Sequence, residues 1–91
     1  MKNAGSRKPH IAVLDADQGI LEYIHHILAD RFSVRLFTDA AALMRSLTEP
    51  PQSDLVMMDW HVTEDDTQEN ALGLLAKIRA SNPSLPVVML S

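Results

Sequence analysis

The chain has 91 residues, of which 46% are apolar and 22% charged, so it can form one domain with a modest core. The absence of cysteine excludes disulfides, thiol catalysis and zinc–thiolate sites. No apolar stretch approaches the roughly 18 residues of a membrane span, and the N-terminus lacks the pattern of a signal peptide. These features predict a cytoplasmic protein without a membrane partner.

The net charge of −4 is unevenly distributed along the chain. Three of the eight basic residues, Lys2, Arg7 and Lys8, lie in the first ten positions, and the remaining five face twelve acidic residues. We expect residues 1–9 to form a flexible basic tail. The acidic remainder would repel nucleic acid phosphates, so no direct nucleic acid binding is predicted.

Short apolar runs alternate with helical patterns from His10 onwards. The first predicted strand spans His10 to Leu14. A helix follows Asp17, and its stripe predicted to pack on a sheet comprises Ile20, Leu21, Ile24, Ile27 and Leu28. A second strand is predicted from Ser33 to Phe37. The second helix begins after Asp39, a plausible N-cap, and ends before Pro50-Pro51.

The second half of the sequence repeats this alternation. A third strand is predicted from Leu55 to Met58, and a polar stretch follows from His61 to Asn70. The third helix has a stripe of Ala71, Leu74, Leu75 and Ile78 and ends at Ser81-Asn82-Pro83. The fourth strand is predicted from Pro86 to Leu90.

This order of elements predicts a flavodoxin-like α/β fold: a parallel sheet of order 2-1-3-4 with helices on both faces. The fourth strand would be an exposed edge, and natural folds cover such edges. We therefore expect residues 10–91 to form a domain that is incomplete at its C-terminus, with the fifth strand missing. Either a longer chain or a partner chain, including a second copy, would complete the sheet.

Two of the predicted strands end at an aspartate, Asp15 and Asp59. If the first and third strands are neighbours about 4.8 Å apart, both carboxylates can contact one small ion. Ligands of open α/β sheets bind at this edge, where the strand order reverses. The sequence therefore predicts a site as well as a fold.

Three ordered segments resemble the receiver domains of response regulators. They are the first strand with its acids (IAVLDAD, 11–17), the third strand ending at an aspartate (SDLVMMD, 53–59), and the third helix followed by the fourth strand (LLAKIR, 74–79, and LPVVMLS, 85–91). The resemblance covers about 11–91. No single segment is specific, but the ordered set has near-family spacing.

The resemblance implies that Asp59 accepts a phosphoryl group from a sensor histidine kinase or phosphotransfer protein and thereby switches an output domain beyond Ser91. It implies a Mg²⁺ ion held by Asp15, Asp59 and the backbone carbonyl of His61, and a hydroxyl contact from Ser91 to the phosphoryl group. Carboxylate nucleophiles and oxygen-bound Mg²⁺ are consistent with this chemistry. Such a domain is a signalling module rather than an enzyme, with at most self-catalysed phosphoryl transfer and dephosphorylation.

The chain departs from the family pattern at three points. Ala16 stands where the family has a second acid, which predicts weak Mg²⁺ binding. The loop after Asp59 lacks the family's proline and Asp-Gly and is about four residues longer. The family's lysine at the end of a fifth strand has no counterpart. Substitute metal ligands would have to come from Asp17, which could instead cap the first helix, or from Glu64, Asp65 or Asp66.

Two other function classes remain open from the sequence. A pseudo-receiver would keep the fold as an interaction or dimerisation module without phosphorylation, and Ala16 and the altered loop favour it. A small nucleotide-binding or enzymatic flavodoxin-like domain is disfavoured, because the three glycines do not form a phosphate-binding loop.

Overall fold

The structure, a computed structural model, describes residues 8–60 and 71–90. This part of the chain contains four strands and three helices in alternation. In chain order they are β1 (His10–Leu14), α1 (Gln18–Leu28), β2 (Ser33–Phe37), α2 (Ala40–Ser46), β3 (Leu55–Asp59), α3 (Ala71–Ser81) and β4 (Val87–Leu90). None of the described helices is long and apolar enough to cross a membrane.

The four strands form one parallel sheet of order β2-β1-β3-β4, as predicted. In this register Leu14 lies opposite both Phe37 of β2 and Met58 of β3, and Asp59 lies opposite Leu90 of β4. The central pair β1 and β3 comes from segments more than 40 residues apart. Crossovers between parallel strands of one sheet are right-handed in nearly all proteins. Within the described residues, β4 pairs only with β3.

Alternate residues of each strand face opposite sides of the sheet, and each side has its own hydrophobic core. On one side, α2 and α3 pack on the sheet through a cluster of Ala12, Leu14, Leu43, Leu47, Val56, Met58, Ala71, Leu74 and Ile78. On the other side, α1 packs through Leu21 against Ile11 and Val13. The helices therefore lie on both faces of the sheet, as the sequence predicts.

The apolar stripe predicted for α1 is only partly covered. Leu21 is 1% exposed, and Ile24 and Leu28 pack against the same core. Ile20 and Ile27, however, are 43% and 54% exposed. Successive helical residues are rotated by about 100°, so Ile20 and Ile27 lie on the flank of the face that carries Leu21. The prediction that all five residues pack on the sheet is wrong for these two.

The strand boundaries also differ slightly from the prediction. β3 continues through Asp59 because the amide of the next residue, Trp60, still donates to the carbonyl of Leu90 at 3.0 Å. β4 begins at Val87 rather than Pro86, although the carbonyl of Pro86 accepts from Val56 at 3.0 Å. The Arg79 guanidinium donates to the carbonyl of Leu85, which holds the end of α3 against the approach to β4.

Adjacent residues of α1 provide a test of the core. We expect Leu21→Ala to lower the free energy of unfolding by about 2–5 kcal/mol, because it leaves a cavity in a closed cluster. The neighbouring Ile20→Ala should cost less than about 1 kcal/mol, because that side chain is already near half exposure. Denaturant unfolding monitored by circular dichroism measures both. Equal losses for the two variants would contradict the described orientation of α1.

Candidate functional site

Asp15 and Asp59 are brought to the same edge of the sheet by the pairing of β1 with β3. Leu14 lies opposite Met58, so the next residue of each chain segment, Asp15 and Asp59, continues side by side. Because β1 and β3 run in the same direction, their C-terminal ends lie at the same edge of the sheet, and each aspartate lies at one of these ends. The expectation that the two acids share one edge is therefore met by the topology.

The backbone of Asp15 is held firmly at this edge. Its amide donates to the carbonyl of Phe37 at 3.0 Å, which extends the β1–β2 pairing by one residue. The residue is 6% exposed. Its Oδ1 accepts a hydrogen bond of 2.9 Å from the amide of Asp17. A buried carboxylate with an amide donor is stabilised in one orientation.

Asp17 caps α1. Its Oδ1 accepts from the amides of Gly19 at 2.8 Å and Ile20 at 3.3 Å, and its backbone is extended (φ −93°, ψ 110°), as N-cap residues are. Of the two roles that the sequence allows for Asp17, capping is the one described by these contacts. A side chain at position 19 would place its Cβ 3.2 Å from the Asp17 Oδ1, so the cap is closely fitted to glycine.

Asp59 occupies the last position of β3 and is half-buried. Trp60, which follows it, is 46% exposed, so its indole is a usable fluorescence reporter beside the site. Ala16, between the two acids of the first segment, is exposed and contributes only a methyl group to this edge. In the part of the chain that the structure describes, Asp15 and Asp59 are the predicted metal ligands at this edge that do not cap a helix.

Several of the predicted site residues lie outside the described residues: His61, Glu64, Asp65, Asp66 and Ser91. Their roles remain predictions. Within residues 8–60 and 71–90 there is no group of three or more histidine, aspartate or glutamate side chains that could hold a metal ion.

The contact that sequence analysis did not anticipate is the hydrogen bond from the Asp17 amide to Asp15. Aspartate is known to bond an amide two residues further on, and the pattern Asp-Ala-Asp before a helix is the signal that could have indicated it. The hydrogen bond from the Asp15 amide to the carbonyl of Phe37 depends on the register of β2, which the sequence pattern alone does not determine.

Comparison with protein-family models and with curated proteins gives no match. Solved structures do match. The receiver domain of an HD domain-containing protein from Pseudomonas fluorescens Pf-5 is 25% identical with a TM-score of 0.77, over 91% of this chain and 63% of that one. The receiver domain of NtrX from Brucella abortus is 29% identical with a TM-score of 0.75, over 87% and 64%.

The chain has the fold of a response-regulator receiver domain. It spans slightly less than two thirds of the length of the isolated receiver domains it matches. A structure of NtrX that continues well beyond its receiver segment matches 93% of this chain over 18% of its own length, with 28% identity and a TM-score of 0.81.

The receiver fold implies a Mg²⁺ ion, and the side chains at the edge fit it in type. Asp15 and Asp59 offer hard carboxylate oxygens, which Mg²⁺ prefers, and one or two carboxylates suffice because the ion keeps several waters. The edge has one acidic side chain fewer than the receiver pattern, because Ala16 has no side-chain oxygen. We therefore expect Mg²⁺ to bind this edge weakly if it binds there.

Restoring the second acid tests this interpretation. We expect Ala16→Asp to tighten Mg²⁺ binding about tenfold, equivalent to about 1.4 kcal/mol, because it adds an oxygen ligand. Titration of Trp60 fluorescence with Mg²⁺ gives both dissociation constants, and Ala16→Asn controls for a polar side chain without a full charge. Wild-type binding as tight as that of the aspartate variant would show that another group fills the position.

Proposed function

We propose that the protein is a phosphoacceptor receiver domain of a two-component system, with Asp59 as the residue that accepts the phosphoryl group. The observation that carries the proposal is the placement of Asp15 and Asp59 on neighbouring parallel strands at one carboxyl edge. The receiver fold supports a role in two-component signalling. The identity of the acceptor and the use of Mg²⁺ are the finer parts of the proposal.

The proposed chemistry is a nucleophilic displacement at phosphorus. A carboxylate oxygen of Asp59 attacks the phosphorus atom of a phosphohistidine on a sensor kinase or phosphotransfer protein. A P–O bond forms and the P–N bond breaks, and its electron pair stays on the imidazole nitrogen, which takes a proton from water. Asp15 and Asp59 would hold Mg²⁺, which offsets the negative charge of the phosphoryl oxygens when bound.

The position of Asp59 suits this role. It is half-buried at the end of its strand, so the side chain is partly accessible to a phosphodonor while β3 fixes its backbone. Its successor donates to Leu90, so the end of β3 is bonded to the end of β4, directly before Ser91. Ser91 is proposed to contact the phosphoryl group, and the carbonyl of His61 to complete the cation ligands.

An output domain beyond Ser91 is part of the proposal. Support comes from the NtrX structure, in which the segment matching this chain is 18% of a longer protein. Phosphorylation at Asp59 would change the state of this output domain through the residues that follow β4. We propose a cytoplasmic location, where such a kinase would be accessible.

The second candidate is a pseudo-receiver, an interaction or dimerisation module that works without phosphorylation. The specific observation in its favour is Ala16, an exposed methyl group at the position of the second acid. A second copy could pair with β4, which in the described part of the chain has a strand on one side only. This candidate predicts association that is independent of any phosphodonor.

The acceptor assignment is tested with matched aspartate-to-asparagine variants. Acetyl phosphate with Mg²⁺, or the cognate kinase, should add one phosphoryl group to the protein, and Asp59→Asn should abolish it because an amide is not a nucleophile at pH 7. Asp54→Asn is the control: it lies before β3 at the opposite edge, where its Oδ2 accepts from the His10 amide at 2.8 Å, a bond that asparagine can keep. Intact-mass spectrometry measures the occupancy.

The outcomes separate the two candidates. Phosphorylation of wild type and of Asp54→Asn, but not of Asp59→Asn, supports the receiver. Phosphate on Asp59→Asn would move the acceptor elsewhere. No phosphate on wild type with its cognate kinase, together with a dimer in light scattering, would favour the pseudo-receiver.

A further inference from the structure

A continuous set of hydrogen bonds joins the first turn of α1 to Asp15. The amides of Gly19 and Ile20 donate to the Asp17 carboxylate at 2.8 and 3.3 Å. The amide of the same Asp17 donates to the Asp15 Oδ1 at 2.9 Å. Asp17 therefore uses its side chain to hold the helix and its backbone to hold Asp15. Fixing the side chain of Asp17 also fixes its backbone, because the cap requires the extended φ and ψ that direct the amide.

We propose that Asp17 is a positioning residue: its cap on α1 holds its amide against the Asp15 carboxylate and so sets the orientation of that carboxylate toward Asp59. The inference rests on the proposed function and deepens it. The orientation of the Asp15 carboxylate matters because Asp15 lies beside Asp59, the proposed acceptor. It assigns Asp17 a role different from that of a substitute metal ligand. Asp17 acts through Asp15 and need not touch a cation or a phosphoryl group.

The burial of Asp15 makes this hydrogen bond consequential. At 6% exposed, the residue has little water to replace a lost donor. The backbone amide of Asp15 donates to the carbonyl of Phe37, which fixes its main chain to β2. Its side chain is held separately, by the hydrogen bond from the Asp17 amide. Loss of the Asp17 cap lets the first turn of α1 fray and removes only the second restraint. The backbone of β1 should stay in place while the carboxylate reorients.

Chemistry at position 17 can distinguish positioning from ligation. Asparagine and serine cap helices about as well as aspartate, whereas alanine does not cap. Neither asparagine nor serine carries a negative charge for a cation. A positioning role therefore survives Asp17→Asn and Asp17→Ser and fails in Asp17→Ala. A ligand or charge role is weakened in all three variants, because none of them carries a carboxylate at position 17.

The chain supplies a matched control in Asp39, the N-cap of α2. Its Oδ2 accepts from the Ala42 amide at 3.1 Å, and its backbone is extended as at Asp17. It follows β2 and so lies at the same carboxyl edge of the sheet, but the hydrogen bonds described for it stay within α2. Asp39→Ala removes the same kind of cap and the same charge without touching Asp15.

A second perturbation reaches Asp17 without changing it. A Cβ at position 19 would lie 3.2 Å from the Asp17 Oδ1, which is tighter than about nine in ten such contacts. Gly19→Ala should therefore shift the capping carboxylate by a few tenths of an ångström, while alanine raises the helix propensity of α1. If Gly19→Ala reorients the Asp15 carboxylate although it stabilises α1, the effect on Asp15 comes from the position of the cap and not from the stability of the helix.

The direct test follows the residue-17 amide and the Asp15 side chain by NMR in the full protein. We expect Asp17→Ala to speed hydrogen exchange of the residue-17 amide about tenfold and to average the χ1 couplings of Asp15. Asp17→Asn and Asp17→Ser should stay close to wild type in both. Asp39→Ala should speed exchange at Ala42 and leave residue 17 unchanged. Mg²⁺ titration of Trp60 fluorescence should show a dissociation constant about fivefold higher for Asp17→Ala alone.

Two results would overturn the inference. If Asp17→Asn and Asp17→Ser lose Mg²⁺ affinity as much as Asp17→Ala does, Asp17 acts as a ligand or through its charge. If, in Asp17→Ala, the χ1 couplings of Asp15 and the exchange rate of the residue-17 amide both stay as in wild type, Asp17 does not position Asp15. A wild type that accepts no phosphoryl group would defeat the proposed function, while the exchange and coupling measurements would still decide the role of Asp17.

Discussion

The parallel pairing of β1 with β3 is the constraint on which the rest of the structure depends. These strands are buried between two helical layers, and their interstrand hydrogen bonds fix which residues leave the sheet side by side. A different partner for either strand would separate Asp15 from Asp59 and also divide the cluster formed by Ala12 and Val56. The same backbone contacts therefore serve the hydrophobic core and the site. The strand pairing that forms the core therefore also brings the two acids to one edge.

The four acids described at this edge have different roles, although all of them are aspartates. Asp17 and Asp39 satisfy amides at the N-termini of α1 and α2, where the helix dipole also favours negative charge. Asp15 is buried, and its carboxylate accepts a hydrogen bond from a backbone amide. Asp59 is half-buried at the end of its strand. Caps and site acids lie at one edge because parallel strands and the helices that follow them all meet there. Counting acidic residues at such an edge therefore overstates the number available to a cation.

Much of the fold could be predicted from sequence because its patterns are local and consistent. The predicted bounds of β1 and β2 agree with the structure. The strand order was predicted from the alternation of strands and helices. The placement of Asp15 and Asp59 at the same edge of the sheet followed from that order. The exposure of Ile20 and Ile27 could not be predicted, because periodicity gives the direction of a helical face but not how much of it a neighbour covers. The bond from the Asp17 amide to Asp15 depends on backbone angles that residue types alone do not determine.

The period of two in a strand has a consequence for how this sequence can change in length. Val56 and Met58 face one core, and Leu55 and Met57 pack toward the other. One residue inserted between Leu55 and Asp59 would exchange these faces and move the acid out of line with Asp15. Natural length variation should therefore be rare inside β3 and concentrated in the connections between strands and helices. The evolutionary record of insertions in such domains would then outline the strands as clearly as their hydrophobicity does.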